Sequence, residues 1–284
     1  MFFNIVSKMV RVKHPKDITI PPYLESDISA IIHDIQVSSL NRIELEHNND
    51  DYFAMCFGDE SGHVTLKLTE KVFELHKTAH PIYLEILAHE ITHAKNYEIF
   101  IRKIDYVRFL KLKNHIKTKE DLFFAFGVTY LDEYLANRGG RLYSPTWTNL
   151  LGHHKDKNIY DYAKLVQRHL VYSVHNIDNA KNCFLSNQYD FESFFTLIIQ
   201  VISHRDAPTT EFTNGILEKL YKAKLFKRYV ELLDQEIQLI ETDFPNSITE
   251  SNINRFGAAL FNIYTILGIH IIDINDKYNF VMHI

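Results

Sequence analysis

The spacing of apolar positions changes character along the chain, and each change marks a different kind of element. After the turn-forming Pro21-Pro22, Ser26-Asp27 can cap a helix running to about Ser39, with Ile28, Ile31, Ile32 and Ile35 as its apolar stripe. The period then drops from 3.6 to 2. Ile43-Glu44-Leu45-Glu46 alternates, Tyr52-Phe53-Ala54-Met55-Cys56-Phe57 is a short apolar run, and His63-Val64-Thr65-Leu66-Lys67-Leu68 alternates again. These read as three strands. The breaks between them, residues 47–51 and 58–62, are polar and turn-prone, so the pattern predicts an antiparallel meander. Its last strand would be an edge able to pair with an extended peptide.

Helical spacing returns at Ile82, Tyr83, Ile86, Leu87, Ile91 and Ala94, with Pro81 suited to a first-turn position. It continues through Ile99, Ile101, Ile104, Val107 and Leu110, and no Pro or Gly interrupts it before Gly127. A second apolar run starts at Leu122, so a helix hairpin with its connection near Asn114 to Thr118 is expected. Beyond Ser144-Pro145 the composition shifts through Thr146-Trp147-Thr148-Asn149 and Gly152-His153-His154, which suggests a boundary near residue 150. Helical segments follow at about 159–175, 190–203, 211–240 and 248–266, with stops at Pro208 and Pro245. The chain closes on two strands, Ile269 to Ile274 and Tyr278 to Ile284, around a tight turn. The fold class is therefore α+β: residues 1–150 carry a small antiparallel sheet and a long helix pair, and residues 151–284 are mainly helical and end in a β-hairpin.

Composition narrows this picture without redirecting it. A chain of 284 residues with 46% hydrophobic content can fill a substantial core. The charge-free stretch Phe256 to Ile272 is interrupted by Asn262, Thr265, Gly268 and His270, so no membrane span is expected. Met1-Phe2-Phe3-Asn4-Ile5-Val6 lacks the basic and apolar regions of a secretory signal. Two cysteines, Cys56 and Cys183, make no disulfide framework and fit a reducing, cytoplasmic setting. The net charge of −5 argues against general nucleic-acid binding, although residues 101–120 hold seven basic side chains against two acidic ones. That flank is read first as a solvated helix face.

The chemistry concentrates in Ala88-His89-Glu90-Ile91-Thr92-His93, an HExxH pattern. Random placement of His and Glu at this composition would produce it in roughly one chain in twenty, so its context has to support it. Here it lies on an unbroken amphipathic helix. His89 and His93, one turn apart, project from the same face and can grip one cation, Zn2+ by preference. Glu90 stands beside them as a general base, able to take a proton from water and pass it to a leaving group.

Tetrahedral zinc needs a third protein ligand and an open position. The hairpin brings back Thr129-Tyr130-Leu131-Asp132-Glu133-Tyr134-Leu135-Ala136-Asn137-Arg138, with Glu133 lying 40 residues beyond His93. Asp132 is the rival for this place. Glu133 shares its face with Ala136 and Asn137, whose small side chains permit close approach, and is preferred for that reason. Asp132 would then turn to the flank or solvent, and Asn137 is a candidate for supporting hydrogen bonds. Tyr130, Tyr134, Tyr143, His153 and His154 are candidate donors to an oxyanion. His115 reads as a solvent-facing loop residue.

Together HEITHA at 89–94 and EYLANR at 133–138 resemble the ImmA/IrrE-type metallopeptidases, whose pattern joins HExxH on one helix to ExxAN on the next. The resemblance covers about residues 40–145. It implies a zincin-like catalytic domain with His89, His93 and Glu133 as zinc ligands, Glu90 as the catalytic glutamate, and a protein or peptide as substrate. Two positions depart from the family pattern. Thr92 stands where Gly usually precedes the second His, and Arg138-Gly139-Gly140 replaces the usual Phe-Ala after ExxAN. The order of strand and HExxH helix is also similar to that of SprT-like proteases. Two other expectations stand beside hydrolysis: a zinc-containing regulatory or interaction protein without turnover, and a nucleic-acid-associated protein using the basic 102–119 segment.

Overall fold

The computed structural model describes residues 21–46, 52–59, 62–80, 82–112, 115–143, 149–204 and 210–282. The opening segment, the turn residues 47–51 and 60–61, Pro81, the hairpin positions 113–114, the composition break at 144–148, the stop at Pro208 and the last two residues lie outside that set. So do the side chains of His153 and His154.

Helix α1 (Pro22–Ile35) starts earlier than its cap signal suggested, because Pro22 itself occupies the first helical turn. It ends at Gln36, whose left-handed backbone closes the last turn. Strands β1 (Leu40–Glu46), β2 (Ala54–Gly58) and β3 (Val64–Thr69) follow, then helix α2 (Glu70–Lys77).

The three strands do not form the antiparallel meander. Their order is β1-β3-β2, with β1 parallel to β3 and β2 antiparallel to it, so the sheet is mixed. Strand β3 takes the centre because Val64, Leu66 and Leu68 are all buried, whereas β1 alternates charged residues along its exposed side. The edge facing open space is thus not the last strand; β1 and β2 are the edges.

Long helix α3 (Ile82–Lys103) lies against this sheet and carries HExxH at its middle. The helical pattern then breaks at Ile104-Asp105, and short α4 (Tyr106–Leu112) begins, its Arg108 amide bound to the Asp105 carboxylate at 2.9 Å. Helix α5 (Lys119–Arg141) returns along α3 and opens with a capping box between Thr118 and Asp121.

The second half is built from α6 (Asn149–His175), α7 (Ala180–Ser186), α8 (Gln188–Ser203), α9 (Thr210–Leu220), α10 (Lys224–Glu241), α11 (Glu250–Leu260) and α12 (Asn262–Thr265). The expected helices at 211–240 and 248–266 are each two, and α6 runs straight through Gly152-His153-His154. Strands β4 (Ile269–Ile274) and β5 (Lys277–Met282) form the terminal antiparallel hairpin. The hairpin grips the start of α5: the Tyr278 amide donates to Lys117 O at 2.8 Å, and the Lys119 amide to Asp273 Oδ1 at 2.6 Å. Among the described residues no helix is long and apolar enough to cross a membrane.

Two apolar cores result. One joins α1, the sheet, α2 and the front of α3 through Leu24, Ile28, Leu66, Leu87 and Ile91. The other gathers α5 and the second half around Phe124, Phe126, Phe195, Phe256 and Phe261. Helix α5 lies within residues 1–150 by sequence, yet most of its apolar side chains fill the second core. The seam between α3 and α5 is where the two cores meet.

Candidate metal centre

The seam is close because glycine makes it so. A Cβ at Gly140 would lie 2.9 Å from Glu85 O and 3.1 Å from His89 Cβ, and one at Gly139 would lie 2.3 Å from Thr92 Oγ1. With Ala136 also fully buried, α5 can lie directly on the stretch of α3 that holds the histidines. The two helices then face each other across His89, His93, Asp132 and Glu133.

The Nε2 atoms of His89 and His93 stand 3.1 Å apart, their rings nearly perpendicular. Glu133 reaches both: one carboxylate oxygen lies 3.9 Å from His89 Nε2 and the other 3.8 Å from His93 Nε2. These side chains are 12–20% exposed, enclosed but reachable. Asp132 turns to the flank of this group, where its side chain is 30% exposed. Its Oδ2 lies 2.9 Å from His93 Nδ1, a close ion-pair contact on the opposite side of the ring. Its Oδ1 accepts from Asn96 Nδ2 at 2.8 Å.

Glu90 lies on the sheet side of this group. Cys56 pairs with Leu66 on β3, and its own N–H points outward and donates to Glu90 Oε2 at 2.8 Å. Burial pushes the Glu90 carboxyl up to about 8; His93 and the Cys56 amide pull the other way, and Glu133 adds to the rise. For His93, burial disfavours the charged ring, but before a cation binds Asp132, with Glu133 and Glu90 behind it, outweighs burial and lifts the imidazolium to about 10, so a cation bound at Nε2 has to displace a proton from that nitrogen. The Cys56 thiol is pushed up by burial and by Glu90, which keeps it protonated and un-nucleophilic.

His89, Glu90 and His93 offer ligand atoms within 4.8 Å of one another and can hold a metal ion. No protein-family model, curated protein or solved structure matches this chain. The choice of a third ligand therefore rests on the geometry of two carboxylates. Glu90 has one oxygen committed to the Cys56 amide, whereas both Glu133 oxygens face the imidazoles. Ligands about 2.0–2.1 Å from a tetrahedral cation stand roughly 3.3 Å apart. The histidine nitrogens, 3.1 Å apart, already stand near that separation, whereas Glu133 approaches them through two different oxygens at 3.8 and 3.9 Å, so one of its oxygens must move in to share a cation with both. Imidazoles and carboxylates gathered this way can hold a metal ion.

The remaining candidates serve elsewhere. Tyr130 donates to Glu192 O at 3.2 Å, Tyr134 to Glu241, and Tyr143 to Asp34 at 3.3 Å. Asn137 spends its amide on the Glu133 backbone carbonyl, 2.7 Å away, so it steadies the helix and not the carboxylate. His115 is exposed in the connection before α5, as expected. Sequence reasoning missed Asn96 and the Cys56 amide. Asn96 left a signal, a polar residue one turn beyond His93 on the face that also carries His89 and Thr92. A backbone donor leaves none.

Proposed function

We propose that the chain is a zinc-dependent metallopeptidase of the zincin-like type, related to the ImmA/IrrE-type enzymes and acting on peptide bonds of a protein or peptide substrate. The observation that carries this reading is the close pair of His89 and His93 nitrogens with the Glu133 carboxylate spanning both and Glu90 beside them on the sheet side. A zinc ion bound there would polarise a scissile carbonyl and make a water molecule acidic enough to be deprotonated near neutral pH. Glu90 Oε2 is anchored by Cys56, leaving Oε1 to accept that proton and return it to the departing amine.

The departures from the family pattern also support the reading, because they face each other. Gly139, within the Arg138-Gly139-Gly140 stretch that replaces the family's usual Phe-Ala, abuts Thr92, where the family usually has Gly. Bulk added to one helix is matched by bulk removed from the other. The basic flank, by contrast, gives the nucleic-acid reading little: Arg108 is turned into ion pairs with Asp121, Glu120 and Glu250.

The test is elemental analysis of the purified chain together with cleavage of a random peptide library. About one zinc per chain is expected, His93→Ala and Glu133→Ala should lose it, and Glu90→Gln should keep it while hydrolysis falls by about 10²–10⁴-fold. Zinc-free wild-type protein would overturn the site. Undiminished cleavage by Glu90→Gln would remove the general base, and a zinc-loaded wild type with no cleavage would favour a regulatory protein that keeps the metal.

A further inference from the structure

The side of the His93 ring that faces away from the convergence point is as closely organised as the side that faces it. Asp132 uses both of its oxygens: Oδ2 lies 2.9 Å from His93 Nδ1, and Oδ1 accepts from Asn96 Nδ2 at 2.8 Å. The same Asn96 amide lies 3.2 Å from the Asp132 backbone carbonyl. Asn96 is itself 2% exposed, so its amide has been taken out of water for this one purpose. The residues alternate between helices, with Asn96 and His93 on α3 and Asp132 between them on α5.

We infer that Asp132 and Asn96 are positioning residues for His93, resting on the reading of the site as a metal centre. The carboxylate charge 2.9 Å from Nδ1, a contact not aligned as a hydrogen bond here, favours the proton on that nitrogen and leaves Nε2 to the cation shared with His89 and Glu133. It also makes the ring a stronger donor. Asn96 acts one step further back, fixing the rotamer of Asp132 so that its second oxygen cannot swing away from the ring. The arrangement explains why two adjacent acids can both serve one site. Glu133 and Asp132 point about 100° apart on α5, and His93 presents one nitrogen to each.

Zinc affinity of the full chain, measured by competition with a chromophoric chelator, tests this. Asp132→Asn keeps the shape and the capacity to bond Asn96 but removes the charge; it should still bind one zinc, about 10–100-fold more weakly. Asn96→Ala should weaken binding less, in the same direction. The Asp132→Asn/Asn96→Ala double variant should bind no more weakly than Asp132→Asn alone, because Asn96 works through Asp132. A residue that merely supports the fold would instead lower the melting temperature of the metal-free protein and add its effect independently. Unchanged affinity in Asp132→Asn, or strict additivity in the double variant, overturns the positioning pair. Complete loss of zinc in Asp132→Asn, as in His93→Ala, would make Asp132 a ligand and overturn it equally. Failure of the wild type to bind zinc is a separate result, since it removes the site itself before any variant is compared.

Discussion

Helix α5 crosses two partners, and the two crossings use the same device for different ends. Towards its start, Gly127 meets α11 at Gly257, where a Cβ would come within 1.8 Å of Phe123 O, and the surroundings are Phe124, Phe126, Ile253, Phe256 and Phe261, all buried. Towards its end, Gly139 and Gly140 meet α3, and there the buried neighbours include Glu85, Thr92, Asn96, Asn137 and Arg141. In both places absent side chains allow backbones to touch. One crossing excludes water and polar groups and can contribute stability by burial alone. The other encloses polar groups that need partners, and it supplies them through a Glu85–Arg141 ion pair, the Asn96–Asp132 contacts and the Thr92 hydroxyl on Ala88 O, although His93 Nδ1 and Arg141 Nε still lack an aligned hydrogen bond. A chain that needed only stability would have made both crossings dry. The polar crossing is retained where it holds a cluster of imidazoles and carboxylates at fixed separations.

The largest effect is expected where the dry crossing is broken. In Gly257→Ala the new methyl meets the Phe123 carbonyl and not a flexible side chain, so the helices must separate. A loss of about 3 kcal/mol follows for such overpacking, a fall in melting temperature of roughly 10 °C. Zinc affinity of the folded protein should stay within about threefold of wild type, because Glu133 lies some two turns beyond the contact. Calorimetry and chelator competition on the same sample check both halves. A zinc affinity that drops in step with stability would show that α5 responds as one rod and that the two crossings are not separate devices.

The site was far more legible in the sequence than the sheet was, and the reason is physical. His89, Glu90, His93 and Glu133 are related by helical spacing and by a single short return of the chain, both of which are local rules. Strand order is not local. Alternation at 43–46 and 63–68 identifies strands but carries no information about neighbours; only the fact that Val64, Leu66 and Leu68 are all apolar hinted that β3 would lie inside. The contact Asp132 makes from its flank position was missed for a different reason. Turning a residue by about 100° from its neighbour removes it from one target, but a histidine offers two, and the second nitrogen of His93 lies where Asp132 points. The break at Ile104-Asp105 carries no Gly or Pro, and its signal was the capping aspartate alone.

A smaller effect should appear at the polar crossing if Thr92 and Gly139 are truly matched. Gly139→Ala alone places a methyl against Thr92 and should cost about 2 kcal/mol. Thr92→Gly alone loses a buried side chain and gains helix-interior flexibility, about 1 kcal/mol or somewhat more. Combined, they move the side chain from one helix to the other, and the double variant should be more stable than the sum of the two losses predicts by about 1–2 kcal/mol. Denaturant melts of the four proteins give this number directly. Simple additivity would mean that the two positions are not matched across the seam.

The smallest expected effect lies at the start of α5, beyond both crossings. Thr118 Oγ1 accepts from the Asp121 amide at 3.1 Å, and Asp121 Oδ2 accepts from the Thr118 amide at 3.3 Å, so two amides otherwise lacking a helical partner are satisfied reciprocally. Thr118→Ala removes one of these bonds and leaves the other, and it should cost about 1 kcal/mol. The terminal hairpin limits the damage, because Asp273 and Tyr278 hold the flanking Lys119 and Lys117 backbone from outside the helix. Fraying should therefore stop within the first turn, well before Gly127. Hydrogen exchange resolves this: faster exchange confined to residues near 119–122, with unchanged protection around Glu133, is the expected pattern. Loss of protection as far as Glu133 would mean that the dry crossing does not insulate the site from the end of its own helix, and the division of labour between the two crossings would have to be abandoned.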